Sequence, residues 1–500
     1  MTATADASHT ALRERHGPRY RWLVLLSVMV GTMASIMSST IVNVAIPGLS
    51  HYFALGQERA QWVSSGFMVA MTVSMLATPW LLDRYGYRRT YMGAMLLLLA
   101  GGVVGGFANA FSLVLGARVA EGLAAGVVQP IPAIIILRAF APHEQGRASG
   151  IFGMGVVLAP AIGPSIGGLL VDLFGWRSIF FMVVPFCLAS LWLARIFVPT
   201  NAPGGVAAQR SAGAAIDWRG LMLAAVGTLC LLNGLVSLHG DGPVQAASLL
   251  ISAVAALVAF IWWERRMPAR GAQPLMNLAL FGYRQFAMGS VVSFIYGTAL
   301  FGSTYLLPVY MQLGLQLSAS LVGTILLPAG IVLAITIAGV GRLADRHPTY
   351  ILVSIGLALL AASFGLMVVV GLKTALWVLV VFAILGRIGL GFILPSLNLG
   401  SLQPLAPSLI SQGASVINFV RMLGGAAGIS LCGIVLEWRL AAHGDSLTNP
   451  VTSTARLAAF NETFIMLALL CLVALAAASQ LRTPKPAAAD PLPTPAPENR

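Results

Sequence analysis

Apolar runs of about 20 residues or more recur along almost the whole of this 500-residue chain, and that is the length at which a helix crosses a bilayer. Hydrophobic residues make up 58% of the sequence and charged residues 9%, more apolar side chain than a soluble core can bury. The sequence therefore predicts an all-α polytopic membrane protein. The fourteen predicted spans lie near residues 22–47, 61–82, 91–108, 111–137, 147–172, 178–198, 219–238, 244–263, 285–313, 319–340, 350–371, 375–398, 411–436 and 461–481.

Basic residues in the predicted loops indicate the orientation, because arginine and lysine in short loops stay on the cytoplasmic side. Loops after even-numbered spans are basic and loops after odd-numbered spans are nearly bare. Lys373 is one exception, and the loop that carries Arg439 and Arg456 fits least well. An even number of spans with both termini in the cytoplasm satisfies this pattern. The net charge of +13 is thus attributed to topology, and no nucleic-acid partner is expected.

Residue types that would support other functions are missing from the predicted spans or from the sequence. All four cysteines fall inside predicted spans, where they behave as small apolar residues, and none of the seven histidines does. We therefore expect no disulfide, no metal site, no cofactor and no enzyme activity. No GxxxxGK[ST] sequence occurs, so the expected energy source is an ion gradient or none. The first apolar run is too long for a cleavable signal peptide.

An internal repeat predicts the domain organisation. The segment "LLDRYGYRR" (81–89) follows the second span and "GRLADRH" (341–347) follows the tenth, while Arg118 and Arg387 occupy matching positions in the fourth and twelfth spans. Repeated halves with a substrate site between them are typical of secondary transporters. The predicted parts are a cytoplasmic N-terminal tail (1–21), an N-terminal six-helix half (22–198), a linker with two inserted helices (199–284), a C-terminal six-helix half (285–481) and a disordered cytoplasmic tail (482–500).

Several motifs occur together in a fixed order: "STIVNVAIP" (39–47), "PWLLDRYGYRR" (79–89), "RVAEG" (118–122), "GPSIGG" (163–168) and "GASVINFVRMLGGAAG" (413–428). With them the chain resembles the fourteen-spanner drug:proton antiporters of the major facilitator superfamily, the EmrB/QacA type. The resemblance covers nearly the whole chain. It implies the major facilitator fold, two six-helix halves plus two inserted helices, in a bacterial inner or plasma membrane. It also implies multidrug efflux, the export of lipophilic drugs and toxic compounds by proton antiport with alternating access.

Two motifs have structural roles that the resemblance suggests. A conformational latch would comprise Asp83, Arg84, Arg88, Arg89, Asp345 and Arg346. A plainer interpretation is a topology signal in a solvated loop. The fifth-span antiporter motif would comprise Gly155, Pro160, Gly163, Pro164, Gly167 and Gly168. Gly155, Ala159, Gly163 and Gly167 follow one another at four-residue intervals, which equally predicts close helix packing without a role in alternating access.

Arg118 and Glu121 place two opposite charges in the fourth predicted span. A charge at the bilayer centre costs about 2.5–3.5 kcal/mol on the insertion scale, so neither is expected to face lipid. We interpret the pair as the site of proton coupling; the alternative is a neutralised pair that only tolerates burial.

The resemblance also shows a departure from the family at this site. The family usually carries aspartate at the position of Ser38 and glutamine at that of Glu121. Helix geometry places these two residues at nearly the same depth. We therefore predict that the carboxylate near Arg118 has moved from the first span to the fourth, with hydrogen bonds from Ser38, Ser39 and Asn43.

Candidate substrate contacts are mainly aromatic and polar residues of spans that would line the cavity. They are Trp62, Phe67, Phe294, Phe301, Tyr305, Gln312, Arg387, Asn418 and Arg421. Most aromatic stripes of this kind face lipid or core instead. Because the spans hold three arginines but one central acid, neutral, zwitterionic or weakly acidic amphiphiles suit the interior better than dications.

Three other functions remain open from the sequence: a dedicated exporter of one metabolite or siderophore, an uncoupled facilitator, and a membrane sensor without flux. The expected partners are a lipophilic small-molecule substrate, protons and the lipid bilayer. If the source is Gram-negative, a periplasmic adaptor protein is a further expected partner. The transport unit is expected to be monomeric.

Overall fold

The computed structural model describes residues 9–55, 57–200, 215–238, 243–268, 274–372, 374–447 and 453–482. Lys373, most of the predicted linker and nearly all of the predicted C-terminal tail lie outside these ranges. The side chains of Pro160 and Pro164 are also outside the description, although both residues lie within a continuous helix.

The described residues form sixteen α-helices and no β-strand. In chain order they are α1 (His9–His16), α2 (Tyr20–Tyr52), α3 (Gln57–Tyr85), α4 (Tyr87–Gly106), α5 (Phe111–Val128), α6 (Ile131–Ala139), α7 (Gln145–Phe174), α8 (Ser178–Phe197), α9 (Trp218–Ser237), α10 (Pro243–Arg266), α11 (Arg284–Val309), α12 (Ala319–Ala344), α13 (Thr349–Met367), α14 (Leu376–Leu402), α15 (Ile410–Ala442) and α16 (Thr454–Ala478).

Thirteen helical segments within the described part of the chain are long and apolar enough to cross a membrane. One of them, Phe111–Ala139, joins α5 and α6 across a break at Pro130, since proline has no N–H to continue the ladder. The predicted span 147–172 lies in α7, a 30-residue helix that is not among the thirteen. The prediction of an all-helical membrane fold is confirmed, while the number fourteen and the orientation stay predictions.

The helix contacts of α2–α8 recur among α11–α16. Helix α2 packs on α7 and α8, as α11 packs on α15 and α16. Helix α5 packs on α3 and α4, as α14 packs on α12 and α13. Between the two sets, α7 packs on α12 and α3 packs on α15. Two similar bundles therefore face each other across two helix pairs.

Glycines allow the closest approach between the two bundles, where α7 crosses α12. A Cβ atom added to Gly150 would lie 2.8 Å from the Cα of Gly341, and one added to Gly341 would lie 2.5 Å from the Cα of Gly150. Neither distance is compatible with a side chain. The crossing therefore depends on both glycines.

The inserted helices α9 and α10 pack on each other, and α9 also packs on α3 and α15. A buried carboxyl pair lies at their base. Asp217 accepts hydrogen bonds from Trp263 Nε1 at 2.9 Å and from the backbone N–H of Gly220 at 3.0 Å. Glu264 accepts one from the backbone N–H of Met276 at 3.2 Å. These contacts tie the insert to the segment that leads into α11.

Candidate functional site

Arg118, Glu121 and Ser38 form a closed triangle of hydrogen bonds between α5 and α2. Arg118 Nη1 donates to Glu121 Oε2 at 2.5 Å and to Ser38 Oγ at 2.8 Å. Ser38 Oγ donates to the same Glu121 oxygen at 3.0 Å. Residues three apart on a helix share one face, which brings Arg118 and Glu121 together. The serine at the position where the family usually has aspartate thus touches both charges.

The triangle is closed off from solvent and packed by α3. Glu121 is 0% exposed and Arg118 is 2% exposed. The Arg118 guanidinium lies 4.3 Å from the centre of the Phe67 ring, and Nε donates to the carbonyl of Val63 at 3.3 Å. Removal of one partner from a buried ion pair leaves the other charge buried and unpaired, which is costly. Arg118 and Glu121 therefore each stabilise the charged form of the other.

Glu121 keeps one carboxylate oxygen, Oε1, that is buried without a hydrogen-bond partner among the described residues. Gly101 of α4 makes room for this side chain, and Gly102 lies beside it. A Cβ atom added to Gly101 would lie 2.5 Å from Glu121 Cγ, and one added to Gly102 would lie 3.6 Å from Oε1. Sequence reasoning missed both, although the pair "GG" in an apolar helix marks a close approach.

Ser39 and Asn43 form hydrogen bonds elsewhere. The Ser39 hydroxyl donates to the carbonyl of Ile36 at 2.7 Å, within its own helix. Asn43 is exposed and accepts a hydrogen bond from Ser64 at 2.9 Å. Of the three predicted polar supports, Ser38 alone contacts the charges in the described structure.

Asp345 joins the two bundles at the end of α12. Its two oxygens accept hydrogen bonds from the backbone N–H groups of Gly146, at 2.6 Å, and Arg147, at 2.9 Å. These N–H groups belong to the first turn of α7, where helices have free donors and a partial positive charge. Burial raises the pKa of Asp345, and the two N–H donors oppose that rise. The adjacent Arg346 is exposed.

Arg138, at the end of α6, forms a second link between the bundles. Its Nη2 donates to the carbonyl of Pro407 at 3.0 Å and its Nη1 donates to Tyr87 at 3.1 Å. Nearby, Gln403 donates to Gln145 at 2.8 Å, again across the two bundles. We call this end of the protein the basic end.

The predicted latch residues of the first half have a different setting from Asp345. Asp83 is half-buried beside a small cavity that Gln412 of α15 also lines. Arg84 and Arg89 are exposed and Arg88 is half-buried. In the described part of the chain, none of these four residues has a hydrogen bond to α15 like those that Asp345 makes to α7.

The glycines of the predicted antiporter motif face α2. A Cβ atom at Gly155 would lie 2.7 Å from Met29 Sδ, and one at Gly163 would lie 3.1 Å from Thr40 Oγ1. Gly167 lies against Ile41, and a Cβ atom at Gly168 would lie 3.9 Å from Val44. A Cβ atom at Gly167 would collide with Ile41, so the packing of α7 on α2 requires glycine there, whereas a Cβ atom at Gly168 would make an ordinary contact.

Two of the predicted substrate contacts lie in one apolar cluster that spans both bundles. It joins Phe67 and Phe301 with methionines that sequence reasoning did not single out: Met68, Met71, Met75 and Met422. Flexible thioether side chains adapt to ligands of different shape. The cluster is therefore the best candidate for an apolar substrate surface.

The other predicted substrate contacts divide into two groups. Arg421 donates to Asn418, and both Arg421 and Arg387 are close enough to Tyr296 for electrostatic interaction. Outside this group, Trp62 is 37% exposed and Phe294 is 39% exposed. Gln312 is exposed and Tyr305 is half-buried. The structure does not bring these last four residues together with the arginines. No cluster of three or more metal-binding side chains occurs within the described ranges.

A sequence model of the family described as Major Facilitator Superfamily matches residues 28–429, so the chain belongs to this superfamily of membrane transporters. Its relatives include proteins named for drug resistance. It is 29% identical to the multidrug resistance protein B homolog of Mycobacterium tuberculosis (strain ATCC 25618 / H37Rv), over 83% of this chain and 77% of that protein. It is 25% identical to the lincomycin resistance protein LmrB of Bacillus subtilis, over 82% and 85%. The predicted membership is confirmed, and the family is one of transporters rather than enzymes.

A solved structure shows the same fold. The crystal structure of the human organic anion transporter MFSD10 (TETRAN) matches with a TM-score of 0.61 over 92% of this chain and 99% of that chain. The sequence identity is 15%, so the likeness concerns the fold alone.

Proposed function

We propose that this protein exports lipophilic small molecules across the cytoplasmic membrane in exchange for protons, by alternating access. The observation that carries the proposal is the buried carboxylate of Glu121, which pairs with Arg118 through one oxygen and has no partner for the other among the described residues. Intramembrane ionisable groups are costly and mark ion pathways in transporters. The relatives named for multidrug and lincomycin resistance support the class of cargo.

Proton binding at Glu121 would change the charge balance of the triangle. A protonated carboxyl no longer neutralises Arg118, which then relies on Ser38 and the carbonyl of Val63. Because these partners lie on α2 and α3, the loss of the ion pair shifts the forces between three helices of the first bundle. Coupling requires such a link between protonation and helix position.

The contacts at the basic end supply the proposed gate. Asp345 holds the first turn of α7 and Arg138 holds the segment before α15, so both crossings between the bundles are closed there. Alternating access requires these links to break when the bundles rock. Under the proposal, the basic end is the cytoplasmic side and the structure has that side closed.

The topology we propose keeps both termini in the cytoplasm. Two arginines that fit the charge rule poorly, Arg439 and Arg456, have local partners. Arg439 pairs with Glu462, and Arg456 donates to the carbonyl of Ser446 at 2.7 Å and lies 3.5 Å from Asp445. We also propose a monomeric transport unit, and an adaptor stays a prediction for a Gram-negative source.

The test is transport by the purified protein in proteoliposomes with an imposed pH gradient. A panel of anionic, neutral and cationic fluorescent lipophilic compounds is followed with the gradient present and after an ionophore has dissipated it. We expect gradient-dependent movement of several compounds. Transport of one compound alone would indicate a dedicated exporter. Transport at the same rate with and without the gradient would indicate a facilitator. Binding without movement would indicate a sensor and would refute export.

A further inference from the structure

Arg387 and Arg421 lie at similar depth in the second bundle, on α14 and α15, which both pack on the helix α11 that carries Tyr296. At 1.5 Å per residue, the distance along the helix to its basic end is roughly 22 Å for Arg387, 17 Å for Arg421 and 18 Å for Tyr296. Both guanidinium groups are close enough to the Tyr296 hydroxyl for electrostatic interaction. The second bundle therefore concentrates positive charge near the centre of the membrane.

These two arginines differ from the other deeply placed arginines in their partners. Arg421 donates to the neutral amide of Asn418. Within the described ranges, no carboxylate lies within 4.0 Å of either guanidinium, whereas Arg118 has Glu121 at 2.5 Å. Arg387 and Arg421 are also half-buried, so part of each side chain remains accessible. The charge at this site is uncompensated by an acid.

An uncompensated cation in a medium of low dielectric constant favours binding of an anion. The planar guanidinium fork pairs well with carboxylate, sulfonate or phosphate oxygens. An apolar surface lies next to it: the ring of Phe301 contacts Gly425, one helical turn beyond Arg421, and Phe301 belongs to the cluster with Met422. An occupant that satisfies both surfaces has an anionic group and an aromatic or lipophilic body.

We propose that Arg387 and Arg421 bind the anionic group of an amphiphilic organic acid while its apolar body contacts Phe301 and Met422. This inference rests on the proposed function, because it names a substrate class for the same transporter. It adds a site in the second bundle, separate from the Glu121 triangle in the first.

The test is equilibrium dialysis of two matched probes, 2-naphthoate and 2-naphthamide, against the full-length protein in detergent. We expect naphthoate to bind at least about tenfold more tightly, since a charge-assisted hydrogen bond contributes that much. Arg387→Gln and Arg421→Gln should remove this preference, and the Lys variants should keep part of it. Arg266→Gln is the control. Arg266 stacks on Trp262 of the insert, so this variant should bind the probes like the wild type.

Equal affinity for the two probes, binding of neither, or an unchanged preference in both Gln variants would overturn the anion site. The Lys variants guard against misfolding, because they keep the charge and the length of the side chain. Dialysis needs no gradient, so its outcome is independent of coupling. Arginine-dependent naphthoate binding without flux in proteoliposomes would refute export and leave the anion site standing.

Discussion

Asp345 accepts a hydrogen bond from the backbone N–H of Gly146 at 2.6 Å, and this bond joins the end of α12 to the start of α7. A carboxylate at a helix N-terminus contributes typically 0.3–1 kcal/mol through the helix dipole. The proposed closure of the basic end would therefore depend in part on this one side chain.

Replacement of that carboxylate should favour opening. Asp345→Asn keeps an acceptor but removes the charge, so we expect the closed-to-open ratio to fall about two- to fivefold. Double electron–electron resonance between spin labels at Arg195 and His347, both exposed, would measure it. Asp172→Asn, at the other end of α7, is the matched control. Identical distance distributions in Asp345→Asn and wild type would contradict the gate.

Gly101 should be essential for the placement of Glu121. A Cβ atom there would lie 2.5 Å from Glu121 Cγ, so Gly101→Ala should destabilise the protein by about 1–3 kcal/mol through overpacking. Thermal unfolding followed by tryptophan fluorescence measures the change in Tm. Gly116→Ala is the control, because nothing lies within 4 Å of a Cβ atom at that position. A Gly101→Ala protein as stable as this control would show that α4 does not confine Glu121.

The carboxyl pair of the insert should tolerate an amide better than a truncation. Glu264 Oε1 is buried and has no hydrogen-bond partner in the part of the chain that the structure describes. A Cβ atom at Gly220 would lie 2.7 Å from this oxygen and would also contact Asp217. Glu264→Gln removes a like charge and keeps an acceptor for the Met276 N–H, so its Tm should equal or exceed that of wild type. Glu264→Ala leaves that N–H unpaired and should cost about 1–3 kcal/mol. Equal losses in the two variants would show that the charge itself is required.

The position of the central carboxylate should be exchangeable between α2 and α5. Ser38 Oγ lies 2.8 Å from Arg118 Nη1, so an aspartate at 38 would reach the same guanidinium. Ser38→Asp should partly restore gradient-driven transport to a Glu121→Gln protein. Ser39→Asp in the same background is the control, since the Ser39 hydroxyl bonds to Ile36 instead. Equal rescue by both aspartates, or by neither, would argue against relocation.

Contacts within a bundle were largely predictable from the sequence, whereas contacts between bundles were not. The shared helix face of Arg118 and Glu121 follows from their spacing, and the depth of Ser38 follows from counting residues. The link from Asp345 to Gly146 joins residues 199 positions apart, and its partner is a backbone N–H that no sequence motif marks. The Arg138 link to Pro407 likewise depends on how two bundles dock. The apolar cluster of Phe67, Phe301 and the four methionines joins α3 to α11 and α15, so its assembly also depends on how the two bundles dock.

Proton coupling at Glu121 is tested by substrate-dependent proton release from proteoliposomes, compared between wild type and Glu121→Gln. The Glu121→Gln variant keeps a hydrogen-bond acceptor for Arg118. Monodisperse elution from a size-exclusion column would verify that it is folded. Glu462→Gln, which alters the ion pair with Arg439, is the matched control. We expect proton flux in wild type and in the control, and flux at the level of protein-free liposomes in Glu121→Gln. Undiminished flux in Glu121→Gln would contradict proton coupling at Glu121 and leave the Arg118–Glu121 pair with a structural role alone.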